Sequence, residues 1–158
     1  MDALEELVAR EAIRQLIVRY AMSFDDRDWE MYESLWTEDV VFLVDGDPIE
    51  GLEALKKFAM TCLPDDYISK HFLGPSMIDI GADGTTAKAK TDVVWIAANH
   101  DNQIVARYED DLVKTDAGWR ISRRAEWPVP YRPGPPPMSD EAIAFSSPTM
   151  RKAEEADA

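Results

Sequence analysis

Cysteine occurs once in the 158 residues, at Cys62, so no disulfide can form within the chain and a reducing, cytoplasmic compartment is expected. Histidine occurs twice, at His71 and His100, which leaves few bases suited to neutral pH. Basic side chains are scarce beside acidic ones, 17 against 31, for a formal net charge of −14. Such a surface repels phosphate backbones and anionic lipid, so neither nucleic acid nor membrane is an expected partner. No apolar run approaches the ~18 residues of a membrane span. The start, Met1-Asp2-Ala3-Leu4-Glu5-Glu6, has neither the basic opening nor the apolar core of a signal peptide. Glycine-rich phosphate loops, a nucleophile elbow and His/Cys clusters at ligand spacing are all missing, so no metal or cofactor is expected.

Apolar residues make up 46% of the chain, enough for one packed core at this length. From Leu4 to Phe24 they recur at Leu4, Leu7, Val8, Ala12, Ile13, Leu16, Ile17, Tyr20, Ala21 and Phe24, the stripe of a long amphipathic helix. Asp28 is placed to cap a short second helix over Trp29–Trp36. Val40–Val44 reads as a strand closed by a turn at Asp45-Gly46-Asp47, and Leu52–Thr61 as a third helix. Strands follow at Ile68–Leu73, Met77–Ile80, Thr86–Ala98, Gln103–Lys114 and Trp119–Trp127. In the third of these, Ala87, Ala89, Thr91, Val93, Trp95 and Ala97 alternate with Lys88, Lys90 and Asp92, so the two sets take opposite faces. Helices followed by a meander of strands predict an α+β domain with a mostly antiparallel sheet. The domain is expected over 1–127. Seven of the ten prolines lie in 128–158, which reads as an extended tail with one apolar cluster at Ala142-Ile143-Ala144-Phe145.

Two residues are chemically conspicuous. Asp25 ends the first helix beside its apolar stripe, where a carboxylate needs a partner. His71 lies inside a strand, and an ordinary histidine, titrating near ~6.5, accepts a proton at neutral pH. Separation along the chain does not show whether they meet. Tyr20 offers a phenol on the helix stripe. Arg124 offers a guanidinium in the last strand, on the face opposite Trp119 and Ile121 by strict alternation. Either both faces are partly buried or a bulge intervenes.

Three stretches carry a resemblance: Ile13–Ala21, Phe24-Asp25-Asp26-Arg27-Asp28-Trp29 and Leu35–Val40. With Arg107–Lys114 and Gly118-Trp119-Arg120-Ile121, they make the chain similar, over roughly residues 5 to 127, to the SnoaL-like branch of the nuclear-transport-factor-2-like superfamily. The resemblance implies a cone-shaped α+β barrel around an apolar pocket. Members include scytalone dehydratase, hexachlorocyclohexane dehydrochlorinase, bile-acid 7α-dehydratase and polyketide cyclases. It implies a histidine–aspartate dyad at His71 and Asp25, with Tyr20, Asp92 and Arg124 completing a catalytic set. It places Val93, Trp95, Ile104, Tyr108 and Ala21 on the substrate-binding wall. The activity so implied is a cofactor-independent, dehydratase-type elimination on a hydrophobic cyclic small molecule. An isomerase or cyclase with the same base, and a non-catalytic binding module, are the rivals. A dimer or trimer is expected, for which size-exclusion chromatography with light scattering is the test.

Overall fold

Asp2 closes a capping box at the start of the first helix, α1 (Ala3–Asp25): its carboxylate accepts the Glu5 N–H at 2.8 Å and Glu5 returns a 2.8 Å bond to the Asp2 N–H. This computed structural model describes residues 1–99 and 102–129; His100, the proline-rich tail beyond 129 and its 142–145 cluster lie outside the described residues. The buried stripe of α1 runs Ala9, Ile13, Leu16, Ile17, Tyr20, Ala21 and Phe24. Leu4, Leu7 and Val8, expected on that stripe, are instead exposed. Burial begins at Ala9, and beside it the Arg10 guanidinium donates to the Ile78 carbonyl.

Asp28 caps α2 (Trp29–Ser34) by accepting the Met31 N–H at 3.0 Å, and the helix stops two residues before the expected end because Trp36 opens strand β1 (Trp36–Val44). Asp45 and Gly46 both have positive φ, 50° and 94°, as a two-residue hairpin turn requires. They fold β2 (Asp47–Glu50) back on β1, a strand the sequence pattern does not reveal because its burial is slight. Then come α3 (Leu52–Cys62), β3 (Ser69–Leu73), β4 (Met77–Ile80), β5 (Thr86–Ala97), β6 (Asn102–Thr115) and β7 (Gly118–Pro128).

These strands form one seven-stranded mixed sheet in the order β2-β1-β7-β6-β5-β3, with β4 also on β5. Every pairing is antiparallel except β1 with β7. The expected α+β architecture is therefore present, but the sheet stays open: β2 and β3 end it and do not pair. Its inner face packs against the helices around Ile13, Tyr20, Val40, Leu55, Leu112 and Ile121. Burying a side chain of this size contributes about 1.5–3 kcal/mol. Among the described residues no helix is long and apolar enough to cross a membrane.

One irregularity decides what the inner face carries. Along β6 and β7 the register shifts: Asp111 pairs with Arg123, but Leu112 pairs with Ile121. Ser122 is therefore an extra residue, a bulge, with its hydroxyl on the Asp111 carbonyl at 3.1 Å. Past the bulge the alternation inverts. Arg124 and Glu126 join Ile121 on the inner face, which settles the direction of Arg124 that strict alternation leaves open.

Candidate active site

The end of α1 brings Asp25 to strand β3. Its Oδ1 lies 2.8 Å from His71 Nδ1 and accepts the Ser69 hydroxyl at 2.8 Å, and its Oδ2 accepts the His71 backbone N–H at 2.8 Å. Both side chains are almost fully buried, His71 at 3% and Asp25 at 5% exposure. Burial alone would push the Asp25 carboxyl up. The hydrogen bonds from the His71 ring and backbone, the attraction of the imidazole and the Ser69 hydroxyl outweigh it and hold the carboxyl below its ordinary value. An ionised carboxylate only accepts, so the proton of a neutral His71 sits on Nδ1 and Nε2 keeps its lone pair.

His71 borders a cavity of about 420 Å³ whose wall is mainly aromatic, with Tyr20, Phe24, Tyr32, Trp95 and Tyr108 beside it. The ring of Tyr20 meets those of His71 and Tyr108 edge-on, both at 5.7 Å between centroids. Burial pushes the Tyr20 hydroxyl up to about 12, against the pull of the Arg124 charge. Burial likewise holds Tyr32 and Tyr108 well above the ordinary phenol value. At neutral pH all three phenols keep their protons and serve as hydrogen-bond donors.

Arg124 lies behind this wall. Its Nε and Nη2 grip Asp110 at 2.6 and 2.7 Å, and its Cζ sits 4.1 Å from the ring centroids of both Tyr20 and Tyr108. Its Nη1 is buried with no hydrogen-bond partner among the described residues. A guanidinium in that position fixes both phenols through cation–π contact and does not itself reach the cavity.

The expected wall residues divide. Trp95 and Tyr108 line the cavity, and Ile104 stands at its rim, 37% exposed. Val93 and Ala21 are buried in the core and do not border it. Asp92 requires correction: it lies on the outer face of β5, exposed, bound to Arg107 Nε at 2.7 Å and away from the cavity. Its parity along β5, shared with Lys88 and Lys90, puts it there. Glu126, which the sequence reading passes over, does line the cavity. Burial raises its carboxyl above the ordinary range, partly offset by the charge of Arg124 and by His71. No signal in the sequence marks it, because its inward direction follows from the Ser122 bulge. Among the described residues, no three of His, Cys, Asp and Glu group as metal ligands.

Comparison with known proteins agrees with this architecture. A family model of the SnoaL-like domain matches residues 5–125. An uncharacterized protein of Mycobacterium tuberculosis is 26% identical over 133 residues, spanning 80% of this chain and 89% of the relative. The crystal structure of an NTF2-like protein with a cystatin-like fold from Novosphingobium aromaticivorans is 30% identical, with TM-score 0.70, over 89% of this chain and 90% of that one. A type 2 hexachlorocyclohexane dehydrochlorinase superposes with TM-score 0.69 at 20% identity, over 87% of this chain and 100% of its own. At that identity the likeness is one of fold.

Proposed function

The chain belongs to the SnoaL-like family, and from that premise we propose that it is a cofactor-independent lyase of dehydratase type, acting on a hydrophobic cyclic small molecule. His71 Nε2 takes a proton from carbon, and the electron pair left behind forms a double bond as the neighbouring hydroxyl departs. Asp25 holds the imidazole in the reactive tautomer and stabilises the imidazolium that forms. Tyr20 donates a hydrogen bond to the departing oxygen, and Arg124 acts as a positioning residue by fixing Tyr20 and Tyr108 from behind. The apolar, aromatic wall orients a neutral ring system and excludes water.

The observation that carries this reading is the His71–Asp25 contact, 2.8 Å long and nearly closed to water, on the edge of the cavity. A non-catalytic binding module has no use for a buried, hydrogen-bonded base aimed at its ligand. The test is a panel of cyclic β-hydroxy ketones of steroid, terpenoid and polyketide type, with formation of the conjugated enone followed by its ultraviolet absorbance. The full chain is expected to turn over at least one of them. His71→Ala is expected to lower that rate by about 10²–10⁴-fold while leaving the circular dichroism spectrum unchanged. A rate unaffected by His71→Ala would end the proposal.

A further inference from the structure

Glu126 takes no part in the steps above, yet among the described residues it is the one acidic side chain on the cavity wall. It sits two residues past Arg124 on the inner face of β7, opposite Tyr108 of β6 and beside Val44 of β1. Among the described residues its carboxyl has no hydrogen-bond or ion-pair partner, unlike Asp25 and Asp110. Titratable or charged groups surround it on six elements, Arg124 of β7, Tyr108 of β6, His71 of β3, Tyr20 of α1, Tyr32 of α2 and Cys62 of α3, while β1 and β5 present only apolar and indole side chains to the cavity and Tyr67 adds a further phenol to its wall. Burial dominates the shifts of Tyr20, Tyr32, Tyr108 and the Cys62 thiol, and the Glu126 charge adds to it in all four. A carboxyl so placed, bonded to none of the described residues, is available to a ligand in the cavity.

We propose that Glu126 is the general acid of this pocket, giving its proton to the departing oxygen while His71 takes one from carbon; the inference rests on the lyase reading above. The step balances. The C–H pair becomes the new C=C bond, the C–O pair leaves with the oxygen, and that oxygen receives the Glu126 proton and departs as water. His71 ends as imidazolium and Glu126 as carboxylate, two opposite charges facing one cavity, and return of the proton through solvent restores both. Burial, the largest influence on Glu126, favours the protonated form, whereas Arg124 and His71 favour the ionised one. Proton donation is most effective from a group whose titration lies near the working pH. Tyr20, held near 12, gives up its proton far less readily and is left with hydrogen bonding.

The test compares wild type, Glu126→Gln and His71→Ala on a matched pair of substrates, a cyclic β-hydroxy ketone and its β-chloro counterpart, with uncatalysed rates subtracted. Hydroxide needs a proton to leave and chloride does not. Glu126→Gln is expected to slow loss of the hydroxyl about 10²-fold, at least about tenfold more than it slows loss of chloride, whereas His71→Ala slows both alike. Equal slowing of both substrates by Glu126→Gln, or none, overturns the role of Glu126 and leaves the base intact. Indifference of both reactions to His71→Ala removes the base instead. A second measurement needs no substrate: carboxyl ¹³C NMR of the glutamate-labelled protein. The resonance lost in Glu126→Gln is expected to titrate above the ordinary ~4.3, and the His71 ring-nitrogen signals to carry the same step in wild type alone. Titration at or below the ordinary value overturns the proposal.

Discussion

On the outer face of the sheet Lys88 meets Asp111 at 2.6 Å, Lys90 meets Glu109 at 2.7 Å and Arg107 meets Asp92 at 2.7 Å. On the inner face of the same sheet, between β6 and β7, Arg124 meets Asp110 at 2.6 Å. The lengths are nearly the same and the surroundings are not: the Arg124 and Asp110 side chains have no exposed surface, while those of Arg107 and Asp92 are 52% and 66% exposed. Water and salt screen the outer pairs, so holding two long side chains together there gains little. Inside, each charge depends on its partner, and its direction becomes a fact about the cavity. Distance alone therefore does not tell what an ion pair does.

The contrast is broken most severely at Asp110. Asp110→Ala leaves the guanidinium buried and uncompensated beneath Tyr20 and Tyr108, and is expected to cost about 3–5 kcal/mol in urea denaturation. A loss indistinguishable from that of an outer-face variant would refute the contrast. Asp25 comes next. Its folded value is depressed, so its stabilisation is fully present above the unfolded value near ~3.9 and drains away as pH falls through the lower folded one. Acid titration of stability should show this loss in wild type and not in Asp25→Asn, which itself should cost about 1–3 kcal/mol through lost hydrogen bonds.

Glu126 has the opposite sign. Its folded value is raised, so stability is lost as pH climbs from the ordinary ~4.3 through the folded value. Glu126→Gln should therefore match wild type in acid and exceed it near neutrality, by less than Asp110→Ala loses. The smallest effect is expected at Asp92, where Asp92→Ala should leave the denaturation midpoint and the activity within error. A marked fall in activity there would return Asp92 to the site.

Much of this contrast is legible in the residue order. The period of α1 and the alternation along β5 give the helix, the inner face and the outward direction of Asp92. The resemblance to relatives assigned Asp92 to the site against that alternation, and the alternation was the better guide. Strict alternation failed at Arg124 and Glu126, because a single extra residue at Ser122 reverses every side chain beyond it and leaves no mark in composition. Spacing alone does not reveal the meeting of Asp25 with His71, since a contact between residues 46 positions apart follows from the packing of α1 on β3, whereas the resemblance to relatives implies it. The resemblance puts Ala21 and Val93 on the cavity wall, and both lie in the core instead, because burial in the core and exposure to the cavity share one periodicity that the sequence does not separate.

Under the proposed function, His71 removes a proton from carbon inside the aromatic cavity. The most direct test is the single-turnover rate of wild type and of His71→Ala on the first ketone found to react, with and without deuterium at the acidic carbon. Deuterium is expected to slow wild type several-fold, and the rate of His71→Ala is expected to be lower by about 10²–10⁴-fold. Equal rates for the two proteins, with no response to deuterium in either, would contradict it.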